Sequence, residues 1–381
     1  MYIKYLEELI SFKSITPDSA GSIEYIKDLL SKNGFNIEVK TFGDGYTEVT
    51  NLYAIYGKGR PNICFAGHVD VVPAGDLKIW DSDPFIATHN EDKIYGRGAV
   101  DMKGALACAL AASLDFIKLH PNSKGAISFL ITSDEEGDGK YGTAEMLRHL
   151  YKDGIADIDL AIVGEPTSEL QIGDTIKIGR RGSINFHLII LGKQGHVAYP
   201  KKAANPLPCL TNILYELANY ELDKGSEFFQ QSNLEITSID VGNNVTNVIP
   251  GEASTRFNIR FNDLHSAESL VNLITELTEK YCNKYRLDYK LNSNSSANSF
   301  IQKPVGLIAD FVEAVKNSTK IKPDLSTSGG TSDARIIKNY CQVVEFGLLS
   351  ETAHKINECT KIADLQTLYH VYYNSLIKFL I

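Results

Sequence analysis

An apolar run, Ala126-Ile127-Ser128-Phe129-Leu130-Ile131-Thr132, ends directly in Ser133-Asp134-Glu135-Glu136-Gly137. The run reads as a buried strand, so three carboxylates are held where that strand stops. Carboxylates packed this densely repel one another and resist joint ionisation unless cations sit among them, and a divalent metal is the strongest local source of positive charge. Neighbours in extended chain point in different directions, so of Glu135 and Glu136 one is free to bind metal while the other moves protons.

A length of 381 residues exceeds what one compact core usually serves, and two domains are expected. With 43% hydrophobic and 22% charged residues the chain has the composition of a folded soluble protein, not of a disordered one. A formal net charge of -9 argues against general nucleic-acid binding, which wants a basic face. The first ten residues read as an amphipathic helix without the apolar centre and cleavage site of a signal peptide. No stretch reaches ~18 uninterrupted apolar residues, so no membrane span is expected and the cytoplasm is the expected location. The cysteines (Cys64, Cys108, Cys209, Cys282, Cys341, Cys359) form no Cys-x-x-Cys pair, which fits reduced, buried thiols with structural roles.

Helix-like and strand-like segments alternate through the first part, as an α/β fold requires. Ile63-Cys64-Phe65-Ala66, the run from Ala126 to Thr132, and Leu160-Ala161-Ile162-Val163 are candidate strands, with an Ala- and Leu-rich helical stretch over residues 103–112. Each strand ends at polar chemistry: His68 and Asp70, then Asp134 to Glu136, then Glu165. Active sites of open α/β sheets form beyond the carboxyl ends of their strands, so these segments are expected to converge. Near Gly179-Arg180-Arg181-Gly182 the pattern turns to alternation. An α+β module of about 115 residues follows, within the ordinary range for a domain. We expect a catalytic domain over residues 1–178 and 295–381, interrupted by a module over 179–294, with Asn292-Ser293-Asn294-Ser295-Ser296 as a polar linker and residues 341–346 as a late strand.

Gly67-His68-Val69-Asp70 places an imidazole and a carboxylate on one face if extended. Such a carboxylate either accepts the ring's second hydrogen or orients the ligand indirectly, and both readings stand at this point. Asp101 lies just before a helix, as either a cap or a ligand. Glu165 precedes a proline in what is otherwise a plain turn, and His354 follows the late strand in a loop. Two histidines and several carboxylates at strand ends match what two divalent ions sharing a bridging carboxylate need. Mixed nitrogen and oxygen donors suit zinc, with cobalt or manganese also accommodated, whereas calcium or magnesium would use fewer imidazoles. Gly96-Arg97-Gly98 lacks the third glycine of a dinucleotide cradle.

By these residues the chain resembles the co-catalytic zinc metallopeptidases, a family of desuccinylases, deacetylases, aminoacylases and carboxypeptidases. The resemblance runs through Gly67-His68-Val69-Asp70-Val71-Val72-Pro73, Thr132-Ser133-Asp134-Glu135-Glu136, Gly179-Arg180-Arg181-Gly182-Ser183, Gln194-Gly195-His196-Val197-Ala198-Tyr199-Pro200, Ser328-Gly329-Gly330-Thr331-Ser332-Asp333 and His354-Lys355-Ile356-Asn357-Glu358. It covers essentially the whole length, and the middle motifs narrow it to the desuccinylase branch. It implies a mixed-sheet α/β catalytic domain with helices on both faces and an inserted α+β lid and dimerisation domain.

The resemblance further implies two Zn2+ per subunit, replaceable by Co2+: one on His68 and Glu165, the other on Glu136 and His354, with Asp101 bridging. Asp70 would orient His68, Glu135 would be the general base, and His196 would reach the active site of the partner subunit in a homodimer. Arg181, Tyr199, Asn247, Arg260, Gly330 and Thr331 fall where the family recognises substrate. For Arg181 and Arg260 an internal salt bridge is the alternative reading. The implied reaction is hydrolysis of N-succinyl-LL-2,6-diaminopimelate, a small-molecule N-succinyl amino acid. Ser350 stands where the desuccinylase pattern has Asn, and Ala353 where it has isoleucine, which leaves a deacylase of another acyl amino acid, such as acetylornithine, or a dipeptidase as the alternative. A non-catalytic dimeric binding protein is the remote one.

Overall fold

Strands Asn62–His68 and Ala126–Thr132 carry no polar face, and both are buried along their whole length. A strand buried on both sides needs cover on both sides, which is the position of a central strand in an α/β sheet. The computed structural model describes residues 1–330 and 332–381, so Thr331 lies outside the described residues.

Eight strands form the main sheet in the order Asn36–Gly43, Glu48–Gly57, Ala126–Thr132, Asn62–His68, Leu160–Val163, Gln342–Glu345, Thr175–Lys177, Asp324–Ser326. Asn62–His68 runs parallel to both Ala126–Thr132 and Leu160–Val163, and Gln342–Glu345 runs parallel to Leu160–Val163. The first two strands are joined antiparallel, so the sheet is mixed, as expected. Helices Tyr2–Ser11, Lys103–Leu119, Leu307–Thr319 and Ile362–Leu380 pack on one another, while Thr143–Lys152 packs on Ala334–Ile337. Lys103–Leu119 is apolar nearly all round and almost wholly buried, as a helix between a sheet and other helices must be.

The chain divides into two compact units: Met1–Ile178, Gln302–Ser326 and the remainder up to Ile381 in the larger, Gly179–Ile301 and Thr327–Gly330 in the smaller. The smaller unit has an antiparallel sheet in the order Asn233–Asp240, Glu252–Phe261, Gly182–Leu191, Asp288–Ala297. Burial alternates along Gly182–Leu191 and Glu252–Phe261, so one face is apolar. Phe186, Leu188, Phe257 and Ile259 on that face share a core with Leu210 and Ile213 of helix Leu207–Ala218 and with Leu270 and Ile274 of helix Ala267–Tyr285.

Two expectations need correcting. The polar stretch from residue 292 is no linker: it belongs to strand Asp288–Ala297, which pairs with Gly182–Leu191 at the sheet edge. Its Asn and Ser side chains at 292–295 are exposed, so polarity there reflects an edge strand and not a break in structure. Phe300–Ile301 then pairs with Gly179–Arg180, and the return to the larger unit falls at Gln302 instead of 295. The six cysteines are all free, but only Cys64, Cys108, Cys209 and Cys282 are fully buried; Cys341 and Cys359 are partly accessible.

Candidate metal centre

Parallel pairing in register brings the expected residues together. His68 is paired with Thr132, so Asn62–His68 and Ala126–Thr132 end level with one another, while Val163 is paired with Ala66, so Leu160–Val163 stops two positions short of His68. His68 closes the first, Glu135 and Glu136 follow the second, and Glu165 follows the third. Asp101 stands one residue ahead of the helix beginning at Lys103, with Met102 between them, and His354 follows the short 3-10 turn Ser350–Thr352. His354 adopts a left-handed backbone, φ 62°, uncommon for a residue with a side chain and frequent where function dictates geometry.

The Asp101 carboxylate lies between two imidazoles: Oδ1 is 3.3 Å from His68 Nε2 and Oδ2 is 3.2 Å from His354 Nε2. His354 Nε2 is also 2.8 Å from Glu136 Oε1, and His68 Nε2 is 3.9 Å from Glu165 Oε1. Ligand atoms of His68, Glu135 and Glu165 lie within 4.8 Å of one another, as do those of His68, Asp101 and Glu136. The helix after Asp101 has no side-chain cap, so the capping alternative for this residue falls away.

His68 Nδ1 donates to the main-chain carbonyl of Asp70 at 2.8 Å, which fixes the tautomer and turns the Nε2 lone pair toward the carboxylates. The Asp70 carboxylate stands 3.6 Å from that nitrogen and instead accepts from the backbone N–H of Glu136 at 3.0 Å and of Glu135 at 3.4 Å. Of the three consecutive acids, Asp134 turns away: its carboxylate accepts from the Tyr141 amide in its own loop. The charge density at the strand end therefore comes from two residues of the run, not three.

Electrostatics mark the cluster as one built around positive charge. Burial pushes the Glu135 carboxyl up to about 8, with Asp333, Glu136 and Asp101 adding to the push and His68 opposing it. Burial likewise raises Glu165 well above the usual carboxylate range, reinforced by Asp101 and Glu135. Hydrogen bonds to Asp101 and Glu136 raise His354 to about 10. Burial works against a charged His68, yet the acids around it, Asp101 first, override it and raise its pKa. Glu165 Oε1 is buried with no hydrogen-bond partner. An orphaned acceptor beside crowded carboxylates and two imidazoles fits divalent cations with mixed nitrogen and oxygen donors.

The other expected residues belong to the smaller unit. His196 is exposed in the two-residue strand Gly195–His196, and its Nδ1 accepts from the Ala198 N–H at 3.1 Å. Tyr199 is exposed, its ring 5.7 Å from that of His196. The Asn247 carbonyl accepts from Val197 N–H, and the Gly330 carbonyl from the Arg180 guanidinium. Arg181 donates to Asn233 at 2.8 Å, and Arg260 lies in register opposite Ser183 and Asn233. Burial, then the neighbouring Arg260, holds the Arg181 guanidinium below its usual pKa. Among the described residues neither arginine makes an ion pair, so the internal salt bridge weighed as the alternative for them is absent there. Thr331 is outside the described residues.

Sequence reasoning assigned no role to Arg97, Lys103 or Glu358. Arg97 and Glu358 form a buried ion pair at 2.8 Å, and the fully buried Lys103 donates to the Phe12 carbonyl at 3.0 Å. A lysine opening an otherwise apolar helix was a legible signal; backbone partners carry none.

Residues 64–378 match the profile of peptidase family M20/M25/M40, and the chain belongs to that family. A succinyl-diaminopimelate desuccinylase of Rickettsia felis is 64% identical over 382 residues, covering 100% of each chain. In fold, an aminopeptidase of Bacillus cereus superposes with a TM-score of 0.77 at 17% identity, covering 99% of this chain and 97% of its own. A dinuclear metal-binding peptidase of the M20 family from Bacillus subtilis superposes with a TM-score of 0.69 at 16% identity, covering 99% and 96%. The resemblance and fold expected from the sequence are thereby borne out.

Proposed function

We propose that this chain hydrolyses N-succinyl-LL-2,6-diaminopimelate to succinate and LL-2,6-diaminopimelate, a step in diaminopimelate and lysine biosynthesis. The observation that carries the reading is 64% identity over the full length to a desuccinylase. The clustering of His68, Asp101, Glu135, Glu136, Glu165 and His354 supports it.

His68 and Glu165 would hold one divalent ion, Glu136 and His354 the other, and Asp101 both, with zinc as the metal and cobalt as a substitute. When bound, such ions supply Lewis acidity that lowers the pKa of a water and polarises an amide carbonyl. Glu135, held beside the cluster by its backbone bond to Asp70, takes a proton from the attacking water and delivers it to the departing amine nitrogen. Asp70 keeps Glu135 and Glu136 in place by accepting their backbone N–H groups.

The smaller unit would act as lid and dimerisation domain, and His196 would serve the active site of the partner subunit. With Nδ1 accepting, neutral His196 carries its proton on Nε2 and has a donor for the oxyanion of a tetrahedral intermediate. Arg181 and Arg260, two guanidiniums without an acid, fit a substrate carboxylate, and Tyr199, Asn247, Gly330 and Thr331 are further candidates for substrate recognition. Among the described residues no helix is long and apolar enough to cross a membrane, and the net charge of -9 disfavours nucleic acid; we place the enzyme in the cytoplasm.

The test is a substrate panel on the zinc-loaded protein. Turnover of N-succinyl-LL-2,6-diaminopimelate well above that of N-acetylornithine and dipeptides is expected. Preference for either of the others moves the assignment to another acyl amino acid, and no turnover of any sinks it.

A further inference from the structure

Residues 96–101 bring a cluster of backbone N–H groups to one point. Glu358, wholly buried, fills it: Oε2 accepts from Gly98 N–H at 3.0 Å and from Arg97 Nη1 at 2.8 Å, and Oε1 accepts from Val100 N–H at 2.9 Å and Asp101 N–H at 3.1 Å. Successive amides aimed at one anion form a nest, and charge-assisted bonds of this kind are roughly twice as strong as neutral ones. Gly98 has φ 84°, and a side chain there would meet Val71 and Lys103 below 3 Å, so the turn that aims the amides is open only to glycine.

Main-chain bonds tie the same residue to the other side of the cluster. Glu358 lies four positions after His354 in the sequence, and its own carbonyl accepts from Gly96 N–H at 2.9 Å. Arg97 reaches back to the Lys355 carbonyl at 3.2 Å, so the turn bearing His354 is tied to the turn bearing Asp101 at two points. Both oxygens of Glu358 are engaged by these donors, and it is no candidate ligand itself.

We propose that Glu358 is a positioning residue that sets the place of the Asp101 carboxylate against the His354 imidazole, and through it the affinity of the site for divalent metal. The inference rests on the reading that Asp101 and His354 are ligands. Partners that orient metal ligands typically account for 10–100-fold in affinity. In Glu358→Gln one oxygen becomes an NH2 that faces N–H donors, leaving part of the nest without an acceptor; Glu358→Asp keeps the charge but shortens the reach.

The metal-free protein is titrated with Co2+ in competition with a chromophoric chelator, the visible bands of the bound Co2+ are recorded, and unfolding of the metal-free chain is followed by circular dichroism. Expected is a roughly 10–100-fold weaker Co2+ affinity with altered bands in Glu358→Gln, in a metal-free chain that still folds and unfolds cooperatively, at a melting temperature lowered by the broken buried ion pair. Should that variant not fold, Glu358→Asp is read in its place with the same criterion. Unchanged affinity in the folded variant overturns the proposal. Failure of both variants to fold also overturns it, by making Glu358 a support of the whole unit. His354→Ala separates the underlying reading: if it binds Co2+ as tightly as the parent, the ligand set is wrong, whatever the Glu358 variants do.

Discussion

The Asp70 carboxylate holds the backbone of Glu136, accepting its N–H at 3.0 Å, while the Asp70 carbonyl receives the His68 ring. One residue thus fixes a histidine with its main chain and the acidic pair with its side chain.

Asp70→Asn separates those tasks. The carbonyl bond to His68 survives, whereas one side-chain oxygen must now serve two amides. A buried charge-assisted bond contributes about 1.5–3 kcal/mol, so kcat is expected to fall about 10- to 100-fold. Metal affinity, measured by chelator competition, should change less than kcat; the reverse order would mean that the side chain acts chiefly on His68.

Glu135→Gln and Glu136→Gln distinguish base from ligand although the residues adjoin. The first should retain metal close to the parent content while kcat drops by about 100-fold or more, the usual range for a lost general base. The second should lose metal on dialysis. Metal analysis beside steady-state kinetics decides, and full activity in Glu135→Gln would remove it from the reaction.

Lys103 should tilt the stability of the chain with pH. Burial lowers its pKa from 10.5 to about 7, against the pull of Glu358 and Asp70. Between those values the unfolded chain binds more protons than the folded one, so stability rises with pH, and below about 7 the full cost of burying the ammonium is present. Relative to the parent, Lys103→Met should be most favoured near neutrality and lose that advantage toward pH 10, at a slope of at most ~1.4 kcal/mol per unit. Urea unfolding of the metal-free forms at several pH values measures it; a constant difference would show that Lys103 is charged when buried.

Arg181→Leu tests the anion subsite. KM for the succinylated substrate should rise about 10- to 100-fold, as expected for a lost charge-assisted bond, with smaller change for an acetylated amino acid lacking the distal carboxylate. An equal rise for both would assign Arg181 to lid structure.

Much of the larger unit was legible because its strands are unbroken apolar runs that stop at His68, at Glu135 and Glu136, and at Glu165, and parallel strands in register must carry those stops to one place. The division of labour at Asp70 was not, since it depends on how the Glu135 loop folds back. Strand Asp288–Ala297 was missed because its apolar alternation stops at Leu291 and the edge strand runs on through polar residues, where no apolar pattern marks it in sequence. Glu358 stayed hidden for a third reason: three of its partners are main-chain N–H groups, which every residue but proline has.

Strand Gln342–Glu345 sits between Leu160–Val163 and Thr175–Lys177 in the main sheet. A ribosome must therefore deliver nearly the whole polypeptide, including all of Gly179–Ile301, before the gap in that sheet is closed and His354 arrives. The growing chain meanwhile exposes the unpaired edges of two strands that are buried in the finished sheet, a period in which chaperone binding or premature pairing with another chain competes with completion.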